Sequence, residues 1–220
     1  MSVVLPKPPV PHHWLLDANV LFSEWSRGLM FILARTHQAQ LHWTPTIEHE
    51  CYRNLVRLGR LHPEDAALEQ ARLPLELGGQ LYTDDAQAYL ADVKAVDEKD
   101  RHVAASALAL RHRLQAPVAL LTWNIKDFPR KPLLKLGLVR YTPDELFTEL
   151  IQCPVKASHT LQAAAGHLQS TLSQRPRLHP TAYEQAARPL PNTRQDWLEF
   201  LGRNRQHKTA RLLQRAQNDS

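Results

Sequence analysis

At 220 residues the chain is long enough for one sizeable core and an appendage, and its composition, 43% hydrophobic and 22% charged, excludes a disordered or a membrane-embedded class. The net charge of +5 is unevenly placed: residues 1–152 hold 17 Lys and Arg against 18 Asp and Glu, whereas residues 153–220 hold 10 against 4. A basic tail on a near-neutral body points to a polyanion partner, with nucleic acid ahead of a membrane surface.

The N-terminal stretch MSVVLPKPPVPHH has four prolines, one lysine and no apolar centre, so residues 1–12 read as a flexible lead-in and not a secretory signal. A cytoplasmic protein is expected. WLLDANVLF follows, an apolar strand over 14–16 stopped by Asp17. Apolar residues at 20, 21, 25, 29, 32 and 33 then predict one helix lying on a sheet. Within it LMFILA, residues 29–34, is the longest apolar run and far too short to span a bilayer, which needs about 20 residues. LHW (41–43) gives a second strand, and TPTIEHECYRNLVRL a helix with Thr44 as N-cap and Pro45 at its first position. PEDAALEQARLPLEL and DDAQAYLADV read as further helix, broken near Pro74 and at Gly78-Gly79. KDRHVAASALALRHRLQ is a helix ended before Pro117, VALLTW (118–123) a buried strand, NIKDFPRKP a loop, LVRY (138–141) a strand and TPDELFTELI its helix.

The order β-α-β-α-α-α-β-β-α predicts an α/β domain over residues 13–151 with a mainly parallel sheet and helices on its faces. From 152 to 220 the pattern is helical without strands: ASHTLQAAAGHLQSTL, PTAYEQAARPL and TRQDWLEFLGRNRQHKTARLLQRAQ form a basic helical extension. Cys51 and Cys153 are widely spaced and lack a CxxC partner, which argues against a disulfide framework and a thiolate zinc site.

In a parallel sheet, ligands gather beyond the carboxyl ends of the strands. Asp17 lies there, as do Asn124 and Asp127 after the VALLTW strand. Asp97 and Asp100 open the alanine-rich helix, and Glu50 lies beside the apolar face of its helix while Glu48 points elsewhere. Each acid also has a purely structural alternative: Asp17 and Asp97 as helix caps, Glu50 paired with Arg53 or Arg57, Asp127 as a turn former. Convergence alters the balance, because several carboxylates at one sheet edge repel by several kcal/mol at roughly 4 Å and intermediate dielectric. They then require a cation, and oxygen donors without Cys or clustered His select Mg²⁺ or Mn²⁺. Phosphodiester hydrolysis is the reaction that best uses such a site.

LLDANVLF, HECYRNL, DEKDRHVAASAL and LLTWNIKDFP, in that order and spacing, resemble the motifs of PIN-domain ribonucleases, including the toxins of VapBC-type toxin–antitoxin pairs. The similarity covers about residues 13–150. It implies a PIN-like three-layer α/β/α domain and an Mg²⁺- or Mn²⁺-dependent endoribonuclease with Asp17, Glu50, Asp100 and Asp127 as catalytic carboxylates and Asp97 as a neighbouring ligand. Many members carry an acid at the position of Asn124, so either Asp127 is the fourth carboxylate or Asn124 is a neutral ligand. Asn19, Thr122 and His102 would support the ligands or contact phosphate, with packing the alternative for His102. The resemblance further implies a homodimer and a small antitoxin that blocks the site.

No histidine pair is joined by a third ligand, and no glycine-rich phosphate loop precedes a Lys-Ser/Thr, so zinc and nucleotide sites are not expected. Lys126, Arg130 and Lys131 flank Asp127 and are candidate phosphate contacts, and Trp123 is a candidate base-stacking or core residue. Arg203, Arg205, Lys208, Arg211 and Arg215 place positive charge along the last helix, for RNA backbone or an acidic partner. Two other functions are consistent with the sequence: a non-catalytic RNA-binding scaffold, and a structure-specific DNA nuclease of the flap type.

Overall fold

Five short strands, all parallel, form the centre of the computed structural model, which describes residues 9–77, 80–81, 86–152, 154–174, 194–203 and 206–218. The strands are β1 (His13–Leu16), β2 (Gln40–Trp43), β3 (Gln80–Leu81), β4 (Val118–Leu121) and β5 (Leu138–Tyr141), in the order β3-β2-β1-β4-β5. β1 is central: His13 to Leu16 pair with Val118 to Leu121 on one side, and His13 to Leu15 with Gln40 to His42 on the other. Its Trp14, Leu15 and Leu16 and all four residues of β4 are buried, as expected of strands covered on both faces.

The described helices are α1 (Ala18–Leu21), α2 (Glu24–His37), α3 (Pro45–Arg57), α4 (Pro63–Leu77), α5 (Arg101–Leu114), α6 (Arg130–Lys135), α7 (Pro143–Leu150), α8 (Pro154–Gln174), α9 (Arg194–Arg203) and α10 (His207–Asn218). Strand order runs outward from β1 to β3, then returns past β1 to β4 and β5. Right-handed crossovers therefore place α2–α4 on one face and α5 and α6 on the other, an α/β arrangement compatible with three α/β/α layers. The reversal between β1 and β4 is the switch point at which such sheets open a crevice.

Several predicted elements differ in detail. The single helix after Asp17 is two, because Ser23 takes an extended backbone and its hydroxyl accepts the Ser26 amide at 3.3 Å, capping α2. α4 runs through Pro74, which lies only three residues from the helix end and removes one backbone bond. Residues 86–89 form a 3₁₀ turn instead of an α-helix. Packing explains this: Ala86, Val93 and Val96 are buried, and Tyr89 stacks on His112 of α5 with ring centroids 5.2 Å apart. The two-residue β3 is an edge strand with no periodic signature, and α6 begins inside the stretch predicted as a loop. VALLTW leaves the sheet at Leu121, so Thr122 and Trp123 belong to the site loop. Thr44 caps α3 and Pro45 opens it as expected.

The C-terminal helices share the core of the sheet domain. Ala164, Leu168, Leu198, Leu201 and Leu213 are buried in the same apolar cluster as β1 and β4. α8 lies along α2, where His37 Nε2 sits 2.8 Å from Thr160 Oγ1 and the His167 ring stacks on Trp25 with centroids 4.6 Å apart. That approach needs Gly28, since a Cβ there would fall 2.5 Å from the His167 ring. The predicted last helix is divided between α9 and α10. Gln206, 2% exposed, lies between them, accepting the Trp25 indole N–H at 3.1 Å and donating to Ser26 Oγ at 3.2 Å. The stretch PTAYEQAARPL, Cys153 and Arg205 lie outside the described residues.

α10 is held at its start by an acid 65 residues earlier: the buried Asp144 carboxylate accepts the Thr209 amide and hydroxyl, each at 2.8 Å, and the Lys208 amide at 3.4 Å. A carboxylate on the first free amides of a helix satisfies orphan donors and the helix dipole together. Asp144→Ala is expected to cost about 2 kcal/mol by the usual worth of a cap and a buried charged hydrogen bond. Urea unfolding would read the loss, and limited proteolysis would show earlier cutting in α9–α10. Among the described residues, no helix is long and apolar enough to cross a membrane.

Candidate active site

At the carboxyl end of β1, Asp17 is buried to 4% exposure. It occupies the N-cap position of α1 but its side chain makes no cap hydrogen bond there. Instead Thr122, one residue past β4, donates its hydroxyl to Asp17 Oδ2 at 2.6 Å, and Asn19 Nδ2 donates to the same oxygen at 2.5 Å. Asn19 Nδ2 also reaches Thr122 Oγ1 at 3.1 Å, and its Oδ1 accepts the Trp123 amide at 3.0 Å. The switch point is thus closed by two side chains, Thr122 and Asn19, that fix one carboxylate. Burial raises the Asp17 pKa to about 6, against the Thr122 hydrogen bond, and the Glu50 carboxylate pushes the same way as burial.

The loop after β4 carries the second group. Phe128, fully buried, anchors it, and Arg140 Nη1 donates to the Ile125 carbonyl at 3.4 Å. Asn124 sits at its centre: its amide N–H donates to Thr122 Oγ1 at 2.9 Å, and its Nδ2 donates to Asp100 Oδ2 at 2.8 Å and to Asp127 Oδ2 at 2.7 Å. Asp97, Asp100 and Asp127 each offer an oxygen within 4.8 Å of the others. Asp100 opens α5 without a side-chain cap bond. Burial first, then the Asp17 carboxylate, raises its pKa to about 6. Asp97 is exposed, and its carboxylate caps a 3₁₀ turn by accepting the Lys99 amide at 3.3 Å, so for Asp97 the capping alternative is realised.

The four carboxylates do not stand as one ring. Asp100 and Asp127 adjoin Asp97; Asp17 lies deeper, coupled to Asp100 electrostatically and through Thr122 and Asn124 by hydrogen bonds. Glu50 is placed to one side, its Oε2 3.2 Å from His102 Nε2, while His102 Nδ1 lies 3.0 Å from the Lys99 carbonyl. The His102 contact holds the Glu50 carboxyl below its ordinary range. Burial would depress His102, but the Glu50 carboxylate overcomes it and the imidazole is raised. His102 is therefore the partner of Glu50, the place that Arg53 and Arg57 were the sequence candidates for.

Thr122 is fully buried with its hydroxyl engaged, the position of a residue that orients Asp17 and not of a substrate contact. Asn19 is likewise engaged with Asp17. Arg130 lies 3.5 Å from Glu145, and Lys126 and Lys131 are exposed beside Asp127. Trp123 is half-buried against the core. Lys99, which the sequence reading passed over, places Nζ 3.0 Å from Asp127 Oδ2. Asn124 and Lys99 together hold the Asp127 carboxyl low. The signal was local: Lys99 stands between two acids three residues apart. Glu48, two residues from Glu50, is the more deeply buried acid and accepts the Trp43 indole N–H at 2.8 Å. The imidazoles of His13 and His42 lie 3.2 Å apart, and no third ligand joins them among the described residues.

The chain matches no protein-family model, no curated protein and no solved structure.

The Asn124 amide donates to two carboxylates where a third acid would repel both. Asn124→Asp is accordingly expected to lower the melting temperature without metal at pH 7.5 by several degrees, about 2 kcal/mol for two half-exposed charged hydrogen bonds. Adding Mn²⁺ should raise the variant's midpoint by more than it raises the parent's.

Proposed function

We propose that the chain is a PIN-like, metal-dependent endoribonuclease that hydrolyses RNA phosphodiester bonds and acts as the toxin of a toxin–antitoxin pair, a small antitoxin protein holding it in check. The observation that carries this reading is Asp17. A carboxylate is buried at the switch point of a parallel sheet, held by Thr122 just past β4 and by Asn19 of α1, with its pKa raised to about 6 beside a second acid, Asp100, raised as far. Structural acids are arranged to relieve repulsion, and this pair concentrates it.

The donor set fits a hard divalent ion, Mg²⁺ or Mn²⁺: three carboxylates with oxygens within 4.8 Å and no thiolate or imidazole among them. Asp97, Asp100 and Asp127 would hold it, with Asp17 behind them. Bound there, such an ion lowers the pKa of a water and neutralises phosphate charge. The chain itself supplies the geometry. Thr122 and Asn19 fix the rotamer of Asp17, Asn124 aligns Asp100 with Asp127, and His102 orients Glu50. Lys99, Lys126 and Lys131 provide positive charge at the rim for the phosphates on either side of the scissile one.

One observation favours a non-catalytic RNA-binding scaffold: Asn124 and Lys99 already satisfy Asp100 and Asp127, and Asp97 caps a turn. Incubating the purified chain with labelled single-stranded RNA and with flapped DNA, in Mn²⁺ or in EDTA, separates the readings. The nuclease reading expects RNA cleavage in Mn²⁺ alone and growth arrest on expression. Absence of any cleavage, with no Mn²⁺-induced rise in melting temperature, overturns it in favour of the scaffold, and preferential cutting of flapped DNA makes it a DNA nuclease.

A further inference from the structure

We infer that the exposed cationic face of α10 is a binding track for the backbone of single-stranded RNA, starting at the sheet edge that carries the carboxylates. Lys208, Arg211 and Arg215 are all exposed, whereas Thr209 and Leu213 are buried. At about 100° per residue the three cations fall within about 60° of one another around the helix axis, turned away from the buried side. α10 has no acidic residue, and no ion pair among the described residues involves any of the three.

Topology sets where this face begins. Tyr141, the last residue of β5, is paired with Leu121, the last of β4, so the first turn of α7 stands at the edge where Asn124 and Asp127 lie. Asp144 in that turn grips the amides of Lys208 and Thr209. Its neighbour Glu145 lies 3.5 Å from both Arg130 and Arg140, and Arg140 holds the site loop at the Ile125 carbonyl. A continuous set of contacts therefore joins the carboxylate loop to the start of α10. From Lys208 to Arg215 the helix spans about 10 Å, so the three cations stand close enough together to engage neighbouring phosphates of one strand.

The partner chemistry follows from the contrast. A phosphate entering a cluster of carboxylates must be retained by cations outside it, and a periodic row of three point charges suits a regularly spaced polyanion. The inference deepens the nuclease reading by assigning the RNA a path, yet the binding is measurable without cleavage.

The test is fluorescence anisotropy of a labelled 20-nucleotide oligouridylate with the full chain in EDTA, titrated with KCl. Lys208→Gln/Arg211→Gln/Arg215→Gln is expected to weaken binding at least about 10-fold and to lower the slope of log K against log[KCl] by about 2, at roughly 0.7 per neutralised phosphate. The charge-keeping variant Lys208→Arg/Arg211→Lys/Arg215→Lys should bind as the parent does. So should Arg57→Gln/Lys135→Gln, whose residues lie at the far ends of helices that start at the site edge. Parent-like affinity and slope in the triple Gln variant overturn the inference. Loss of poly-glutamate binding with RNA binding kept also overturns it, making an acidic polypeptide the occupant. RNA binding through α10 without any Mn²⁺-dependent cleavage leaves this inference standing and removes the nuclease reading; cleavage with unchanged KM in the triple variant does the reverse.

Discussion

Asp100→Asn is expected to lower Mn²⁺-dependent RNA cleavage by at least about 10²-fold while circular dichroism and RNA affinity in EDTA stay at parental values. Asp100 is the acid that meets both halves of the site, sharing the Asn124 amide with Asp127 and feeling the Asp17 charge. Its side chain caps nothing, so its loss leaves α5 without a broken bond. Asp97→Asn makes the internal comparison. Asp97 is exposed and caps a turn that Asn caps equally well, so cleavage should fall by less than about 10-fold. Full activity in purified Asp100→Asn protein would remove the assignment of chemistry to this cluster.

Asp17→Asn is expected to stabilise the metal-free protein at pH 7.5 and to destroy its response to Mn²⁺. The folded-state pKa of Asp17, about 6, lies above its ordinary value of 3.8, so the native state binds the proton more tightly than the unfolded chain does. The stability this group lends is full below about pH 4 and is lost as pH rises through about 6. Ionising it costs roughly 3 kcal/mol at 1.36 kcal/mol per unit, and an amide avoids that cost while giving up part of the hydrogen bonding that the carboxylate accepts from Thr122 and Asn19, worth about 1 kcal/mol. A net gain of about 1–2 kcal/mol corresponds to about 3–6 °C at this chain length. The gain should vanish at pH 4, where the parent is protonated. Mn²⁺ at 100 times its Kd would add about 2.7 kcal/mol to the parent and little to the variant, reversing their order. A parent and variant that melt together at every pH, with and without Mn²⁺, would show Asp17 to be an ordinary capping acid.

The alternation of apolar strands and amphipathic helices was legible because each element buries a face with its own period: Trp14 to Leu16, Val118 to Leu121 and the Thr44-Pro45 cap all announce themselves locally. So did the acids at the strand ends. What the sequence withheld depends on neighbours distant in the chain. Residues 86–93 have helical composition, but packing against α5 winds them into a 3₁₀ turn and tight turns. The Glu50–His102 pair joins residues 52 apart, and Thr122 reads as strand until its hydroxyl is seen to reach Asp17. Helical phase put Glu50 beside the apolar face and Glu48 elsewhere, yet Glu48 is the buried acid, because the Trp43 indole that draws it inward comes from β2. The division between α9 and α10 rests on Gln206 finding Trp25 and Ser26, some 180 residues away.

The central strand takes one partner 27 residues downstream and the other 105 residues downstream. Closing the longer span costs more chain entropy than closing the shorter one, and Asp17 meets Thr122 only once that closure has occurred. The electrostatic strain of the pocket is thus absent until β1 and β4 are neighbours, and it cannot retard any step that precedes their pairing. A cation that prefers the finished pocket acts on the escape rate of the native state and not on the speed with which that state is reached.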